Sequence, residues 1–278
     1  MRNILTIDVE ELYHAEYVKE SLPKHTIEDK SPHDLTKTLT LLKQHNVNAT
    51  FFIVGELAQK HPELIPQIKE SGHEIAFHAF YHEPMWKKSP ESFRDEIDKF
   101  HSVTDARCKS FRAPSFSINN GTRWVLDVLE QAGFQYDSSI FPARTPLYGA
   151  PKAPLKPYKP NHMDITVEDE AARLWEFPLH TYPLPFIRLP MAGGFYLRFF
   201  PPRLMKRSIR KANREGRPAV IFVHTWELNP ETPRLKLGLY RSFVTYRNLE
   251  KTASRMDALL SEFEFTSIEN FMKEEGLS

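Results

Sequence analysis

Short apolar runs alternate with longer segments of helical periodicity along most of the chain. This alternation is typical of βα units packed around a mainly parallel sheet. The apolar runs predict strands at 3–9, 49–54, 74–78, 110–114, 134–139 and 219–226, with a last strand in the closing segment. The amphipathic segments predict helices at 34–46, 55–72 (broken near Pro62), 89–105, 120–133, 202–216 and 248–263, and a short final helix. The pattern therefore predicts an α/β fold of about seven βα units.

The regular alternation lapses in the middle of the chain, at about 141–200. From Phe141 to about His162 the segment is too rich in proline for regular elements, which indicates a long surface excursion. Residues 174–202 read as short extended pieces interrupted by proline and a Gly-Gly pair. A long irregular loop of this kind is commonly a substrate-binding wall, so we expect 141–200 to form one side of a cleft.

Length and composition restrict the class of protein. A chain of 278 residues with 41% hydrophobic residues can bury one large core, so we expect a single domain over 1–278. Lys plus Arg (37) nearly equals Asp plus Glu (36), so no overall field attracts nucleic acid or an anionic membrane. A lone cysteine, Cys108, an N-terminus without a secretory apolar region and the lack of long apolar runs predict a cytoplasmic protein without a transmembrane segment.

Polar residues with useful chemistry follow the predicted strands. In a parallel βα barrel the carboxyl ends of the strands face the functional side. The residues at these ends are Asp8, Glu10, His78, His82, Arg112, Asp137 and His224. Their common placement is the argument for a site, and these are residue types that a hydrolase can use.

His78 and His82 stand four positions apart directly after an apolar run. Four residues of extended strand span roughly 13 Å, too far for two imidazoles to share one ion, whereas one helical turn brings positions i and i+4 together. The strand must therefore end near His78 if the pair acts together. The alternative is that these histidines are only hydrogen-bonded and that Asp8 and Glu10 form a solvated acidic strand end.

A carboxylate with two imidazoles is the ligand set of catalytic zinc and of several other divalent sites. Such an ion lowers the pKa of bound water and polarises a carbonyl oxygen. Asp8 could then take the proton of the water, and His224 is placed to act as the acid on the leaving-group side. If it stood alone, His224 would read as a core histidine.

Two further residues could support this chemistry. Asp137 could orient the His224 imidazole and hold it protonated, and Arg112 could fix Asp8 through a bidentate contact. The alternative for Arg112 and Asp137 is a structural ion pair.

The segments TIDVE, GHEIAFHAFYH, FRAPSFS, YDSS and FVHTWE resemble, in order and roughly in spacing, the five motifs of the polysaccharide deacetylases of carbohydrate esterase family 4. RAPSFSI, the EFPL with AGGFYLRFFP segment and HTWELNPETPR also resemble the branch found in exopolysaccharide and O-antigen gene clusters. The resemblance covers about residues 3 to 270.

The resemblance implies a distorted (β/α)7-type barrel that removes the N-acetyl group of an amino-sugar glycan with a divalent ion, often zinc. By matching position, Asp8 resembles the general base and His224 the general acid. The implied metal ligands are Glu10, His78 and His82. Arg112 matches the arginine that positions the base, and Asp137 the aspartate of the fourth motif. A backbone N–H near Ser115 is expected to hold the oxyanion.

The chain departs from the common family pattern in its first and third motifs. Val9 separates the two carboxylates of the first motif, so Glu10 takes the ligand position and Glu11 is a competing ligand. Ser115 stands where the third motif commonly has tyrosine, with Phe116 next. Among the aromatic residues, Phe116 and Trp226 are the best candidates to contact the sugar together with Ser115, since each closely follows a motif residue.

Two alternatives to a glycan N-deacetylase stay open at this point. One is a different metal-dependent hydrolase on the same barrel, acting on another amide or an ester. The other is a glycan-binding barrel whose catalytic site has decayed. The expected partner is a saccharide: an N-acetylated amino-sugar glycan, a lipid-linked intermediate or a small precursor.

Overall fold

The computed structural model describes residues 1–19 and 28–277. The strands in chain order are β1 (Asn3–Val9), β2 (Thr50–Ile53), β3 (Glu74–Phe77), β4 (Ser110–Phe111), β5 (Tyr136–Asp137), β6 (Trp175–Glu176), β7 (Thr181–Pro183), β8 (Arg188–Pro190), β9 (Val220–His224) and β10 (Phe265–Thr266). The helices are α1 (Glu16–Lys19), α2 (Ser31–Gln44), α3 (Gly55–Lys60), α4 (Leu64–Glu70), α5 (Pro90–Thr104), α6 (Trp124–Gln131), α7 (Gly194–Phe199), α8 (Pro202–Arg214), α9 (Leu239–Tyr246), α10 (Thr252–Leu260) and α11 (Ile268–Glu274).

Eight strands form one sheet in the order β10-β1-β2-β3-β4-β5-β6, with β9 also paired to β1. Every pairing in this sheet is parallel, as expected for βα units. The sheet curves into a partial barrel with helices outside, so the predicted distorted βα barrel is confirmed. The organisation of the chain as one domain stays a prediction.

The sheet is closed on its open side by backbone hydrogen bonds and not by a further strand pair. The amide of His180 donates to the carbonyl of Val220 at 3.0 Å, and the amide of Phe222 donates to the carbonyl of Ala192 at 3.1 Å. Segments that flank the antiparallel hairpin of β7 and β8 therefore lie against β9. The segment 141–200, predicted as one side of a cleft, thus also contributes the backbone hydrogen bonds that close the barrel.

The local signals explain where several elements begin and end. Ser89 caps α5 by accepting a hydrogen bond from the amide of Ser92, and Pro90 follows at the first helical position. Gly133, with φ of 87°, reverses the chain after α6 in a conformation that glycine adopts without strain. Residues 174–202 are predicted as extended pieces, and this is wrong for the part that forms α7. Helix α9 forms in a segment for which the sequence predicts no regular element.

Apolar side chains from the strands and the surrounding helices fill the barrel wall. Phe77 of β3 is fully buried and packs against Phe93, Phe100, Phe111 and Phe134. Within residues 1–19 and 28–277, none of the helices combines the length and apolar character that a membrane span requires.

Candidate active site

The carboxyl end of β1 carries Asp8, which lies opposite His224 in the parallel register of β1 and β9. Asp8 is 1% exposed, and its Oδ1 accepts a hydrogen bond from Nη1 of Arg112 at 2.6 Å. Arg112 is itself fully buried, and its Nε donates to the carbonyl of Ser138 at 2.9 Å. A buried guanidinium fixed at several atoms therefore holds the Asp8 carboxylate in one orientation.

Glu10, His78 and His82 converge just beyond the strand ends. Nε2 of His82 lies 2.6 Å from Oε2 of Glu10, and Nε2 of His78 lies 3.8 Å from the same oxygen. One ligand atom of each residue lies within 4.8 Å of the others. The three side chains can therefore surround one ion.

The chain reaches this arrangement without a helical turn after β3. The strand ends at Phe77, as the shared-ion argument requires, but residues 78–82 form a turn. Ala79 and His82 both adopt left-handed backbone conformations, with φ of 57° and 51°. Such conformations are costly outside glycine and persist at sites where the surrounding structure enforces them.

The hydrogen bonding of His78 indicates that the cluster suits a cation. Nδ1 of His78 lies 2.7 Å from the carbonyl oxygen of Arg112, which can only accept, so Nδ1 carries the proton. Burial lowers the pKa of His78 to about 4, so the ring is neutral near pH 7. The lone pair of its Nε2 then faces the Glu10 carboxylate at 3.8 Å, and a divalent cation would be held between two such electron-rich atoms. The donor set therefore fits the divalent ion that the resemblance implies.

Glu11, the competing ligand, does not join the cluster. Its Oε1 accepts hydrogen bonds from the Ser31 hydroxyl at 2.6 Å and from the Lys30 amide at 2.8 Å. Burial and the nearby Asp29 carboxylate raise the pKa of Glu11 to about 8. The geometry therefore favours Glu10 as the carboxylate ligand.

His224 is held from behind by a carboxylate. Its Nδ1 lies 2.8 Å from Oε2 of Glu227, and Nη1 of Arg198 donates to the other oxygen of Glu227 at 2.9 Å. Glu227 and Arg198 are 2% and 1% exposed as side chains. On its other side, Nε2 of His224 lies 3.5 Å from Oε1 of Glu10 and 3.9 Å from Oδ2 of Asp8. Nε2 of His224 therefore faces Asp8 and Glu10, while Nδ1 is fixed by Glu227.

This geometry corrects the role expected of Asp137. Asp137 accepts a hydrogen bond from the Ser139 hydroxyl, while the carboxylate on His224 is that of Glu227. Burial raises the pKa of Asp137 to about 6. Burial and the nearby Asp137 charge raise the pKa of Glu176 well above its ordinary value. Asp137 and Glu176 therefore form a buried pair that retains a proton, and orientation of the imidazole belongs to Glu227.

Nearby charges and burial determine the protonation states of Glu10 and His224. Burial alone would raise the pKa of Glu10, but the neighbouring imidazoles of His82 and His224 hold it well below its ordinary value. Burial would lower the pKa of His224, but the carboxylates of Glu10 and Glu227 outweigh that effect and raise it to about 9. Glu10 is therefore ionised and His224 protonated near pH 7.

A pocket of about 140 Å³ opens onto these groups. Eight of the residues singled out from the sequence line it: Asp8, Glu10, His78, His82, Ser115, Phe116, His224 and Trp226. The Trp226 ring stacks on His224 with centroids 5.5 Å apart and is only 4% exposed, so it packs against the imidazole more than it faces a sugar. Ser115 and Phe116 both have positive φ, of 55° and 48°, and form the turn beside the pocket.

Comparison with known proteins shows which families the chain is similar to. A sequence model described as polysaccharide deacetylase matches residues 21–136, a range that includes His78, His82 and Arg112. Residues 21–136 are therefore similar to polysaccharide deacetylases. A second family model, described as a domain of unknown function (DUF3473), matches residues 138–273.

Curated relatives of the deacetylase domain share about a hundred residues with this chain. A peptidoglycan-N-acetylglucosamine deacetylase of Bacillus cereus is 38% identical over 96 residues, which is 33% of this chain and 35% of that protein. A chitooligosaccharide deacetylase of a Bradyrhizobium species is 36% identical over 96 residues, 33% of this chain and 41% of that protein. The matched segments thus span well under half of these relatives.

The fold extends beyond that segment. The crystal structure of a candidate polysaccharide deacetylase from Mycobacterium smegmatis superposes with a TM-score of 0.60 and 17% identity, covering 99% of this chain and 91% of that one. At this identity the likeness concerns the fold alone. Within the shared fold, Asp8 and Glu10 lie before the segment matched to the deacetylase domain, and His224 lies after it.

Sequence reasoning missed Glu227, Arg198 and Gly194. Glu227 follows His224 by three positions, and a 3₁₀ turn over Thr225–Leu228 folds it back over the histidine. Arg198 lies in α7, which begins at Gly194, and a Cβ at Gly194 would lie 2.1 Å from Oε2 of Glu227. Two signals in the sequence could have indicated these residues. One is the acidic residue three positions after His224, and the other is the Gly-Gly pair at 193–194.

Proposed function

We propose that this protein is a metal-dependent N-deacetylase that hydrolyses the acetamido group of an amino-sugar glycan or of its biosynthetic precursor. The observation that carries the proposal is the convergence, in one pocket, of a cation-binding cluster with a fixed carboxylate and a protonated imidazole. A pure glycan-binding protein has no use for a base and an acid at the same ligand cluster. The deacetylase names of the relatives support the same reaction class.

Glu10, His78 and His82 would hold the ion, and zinc is the expected metal because one carboxylate and two imidazoles are a common catalytic zinc set. When bound, such an ion acidifies water and polarises the acetamide carbonyl. This role is compatible with the neutral state of His78, since only unprotonated imidazole binds a metal.

The residues of the chain supply the proton transfers. Asp8, oriented by Arg112, accepts a proton from the attacking water. His224 donates the proton that the departing sugar amine requires, and Glu227 stabilises the imidazolium before that transfer. The backbone at Ser115 is proposed to donate to the developing oxyanion, and Phe116 to shape the sugar side of the pocket, while Trp226 packs against His224.

The pocket of about 140 Å³ is small compared with typical ligand sites of roughly 300–1,000 Å³. It therefore accommodates an acetamido group and part of one ring, with the remainder of a saccharide outside. An exopolysaccharide or O-antigen intermediate is the proposed physiological substrate, on the basis of the sequence resemblance. The cytoplasmic location stays a prediction.

Acetate release tests this proposal. The metal-stripped protein, reloaded with Zn²⁺ or Co²⁺, is assayed on N-acetylated chitooligosaccharides and on peptidoglycan strands. We expect acetate from at least one of these substrates with wild type, and a loss of roughly 10²-fold or more with Asp8→Asn at retained metal content. An unchanged rate in Asp8→Asn would remove the base assignment. Release of acetate only from an ester such as acetylated xylan would favour the alternative hydrolase.

A further inference from the structure

The mouth of the catalytic pocket carries a cluster of solvent-exposed apolar side chains. Phe199, Leu239, Tyr240 and Phe243 are 42%, 95%, 58% and 39% exposed, and we call these four residues the apolar rim. Monomeric soluble proteins scatter exposed apolar residues singly, and contiguous groups mark surfaces that contact a membrane or another molecule.

Ring contacts connect the apolar rim to the pocket. Phe195 lines the pocket, and its ring centroid lies 5.4 Å from that of Phe199 and 6.3 Å from that of Phe243. Tyr17, another pocket residue, lies edge-on to Tyr240 with centroids 5.7 Å apart. Helices α7 and α9 therefore present one apolar surface beside the opening.

Two exposed arginines, Arg203 and Arg247, flank this surface, although the whole chain carries a formal charge of only +1. Arg203 follows Phe199 by four positions at the start of α8, whose Lys206 and Arg210 instead pair with Glu262. Because α8 leads into β9, which ends at His224, the exposed Arg203 at its start lies toward the catalytic side. The exposed Arg247 lies over the Phe243 ring at 5.0 Å.

A surface of exposed apolar side chains flanked by cations suits an anionic lipid partner. An anionic phospholipid surface takes up aromatic and aliphatic side chains at the headgroup boundary and attracts nearby arginines. A protein partner of matching charge would satisfy the cations, but the near-complete exposure of Leu239 suits insertion into acyl chains.

We propose that the apolar rim and its flanking arginines dock the protein on an anionic phospholipid bilayer, with the pocket mouth toward the lipid. This docking does not depend on the deacetylase function. If that function also holds, the docked protein presents its site to saccharides carried at the membrane surface.

Vesicle co-sedimentation tests the docking without requiring turnover. Wild type, Phe199→Ser/Leu239→Ser and a matched control, Phe186→Ser/Ile187→Ser, are spun with vesicles of phosphatidylglycerol and phosphatidylcholine (1:1) or of phosphatidylcholine alone. The control residues are 101% and 56% exposed on the distal β7–β8 hairpin. We expect binding of wild type and control to the anionic vesicles, a loss of at least about tenfold in the rim variant, and weaker binding in 0.5 M salt.

The arginine contribution is tested with Arg203→Ser/Arg247→Ser, for which a loss on the order of tenfold is expected. Circular dichroism checks folding, and Leu239→Ser alone replaces the double variant if the latter is unfolded. Three outcomes overturn the proposal: no association with anionic vesicles, an equal loss in the hairpin control, or a wild-type dimer in solution that the rim variant dissociates, since a second copy would then be the occupant.

Discussion

Oε2 of Glu227 lies 2.8 Å from Nδ1 of His224, and the second oxygen of the same carboxylate accepts from buried Arg198. Arg198 also donates to the carbonyls of Val244, Thr245 and Arg247. The imidazole at the catalytic cluster is therefore held by a relay anchored on α7 and at the end of α9. Both helices lie in the region matched to the domain of unknown function, so that region completes the site.

Glu227→Gln should lower kcat by roughly 10²-fold with little change in KM, because the amide cannot stabilise the imidazolium. The pKa of His224 is raised to about 9 partly by the Glu227 charge, so removing that charge lowers it. Since the acid acts in its protonated form, the alkaline limb of kcat/KM should move to lower pH. The pH profile of acetate release measures both effects.

Glu231→Gln is the matched control, because Glu231 is a surface residue 69% exposed that pairs with Lys37. Asp137→Asn separates the two assignments for the partner of His224. We expect it to leave the alkaline limb in place. A shift of that limb in Asp137→Asn but not in Glu227→Gln would return the orienting role to Asp137.

His78→Ala and His82→Ala should each lose the bound metal, since each removes one of three ligands that converge on one point. Elemental analysis after dialysis against limiting Zn²⁺ gives the stoichiometry directly, without any activity assay. Glu11→Gln serves as the control, because Glu11 is hydrogen-bonded away from the cluster. Full metal occupancy in both histidine variants would dismiss the proposed ligand set.

The strand ends could be predicted from the sequence, and with them most of the site. Asp8 and His224 follow apolar runs that can only be buried strands, and parallel pairing then places them side by side. The partner of His224 could not be predicted in this way. Whether Glu227 or Asp137 reaches the ring depends on a 3₁₀ turn of four residues, Thr225–Leu228, which no periodicity marks.

The same limit applies to the helices that frame the pocket. Helix α7 spans six residues between Gly193 and the prolines that follow Phe200, so its sequence reads as broken chain. Tertiary contacts stabilise it: Arg198 bonds to Glu227, and the Phe195 ring packs near Phe243 of α9. Short helices of this kind depend on packing and not on propensity.

Gly194→Ala should reduce kcat and also destabilise the fold, because Glu227 lies in a buried ion pair with Arg198. The new Cβ would lie 2.1 Å from Oε2 of Glu227, so the carboxylate must leave its position on His224. Overpacking of about 1–3 kcal/mol adds to the cost of displacing a carboxylate from a buried ion pair, so we expect a loss of several kcal/mol of stability. Steady-state kinetics and thermal melting measure the two effects separately.

Gly238→Ala is the control for that substitution, because nothing lies within 4 Å of the added Cβ and its φ is −60°. It should match wild type in both assays. Wild-type turnover in Gly194→Ala would show that Glu227 can be displaced without loss of activity. The Arg198–Glu227–His224 hydrogen bonds would then not be required for turnover.

Glu176→Gln should change how stability depends on pH. Burial and the Asp137 charge raise the pKa of Glu176 well above 4.5, and burial raises that of Asp137 to about 6. The folded pair therefore keeps a proton that the unfolded chain has released. Its contribution to stability is fully present below about pH 4 and declines as pH rises through the folded pKa values, by at most about 1.4 kcal/mol per pH unit for one proton.

Glutamine is permanently neutral and can donate to Asp137, so Glu176→Gln removes that loss. The melting temperature of wild type relative to the variant should therefore fall between pH 5 and pH 8, by roughly 2–4 °C for each kcal/mol of stability lost at this chain length. Glu168→Gln, at a side chain 42% exposed, controls for removal of one carboxylate. Parallel curves of melting temperature against pH for wild type and Glu176→Gln would mean that the pair does not retain its proton.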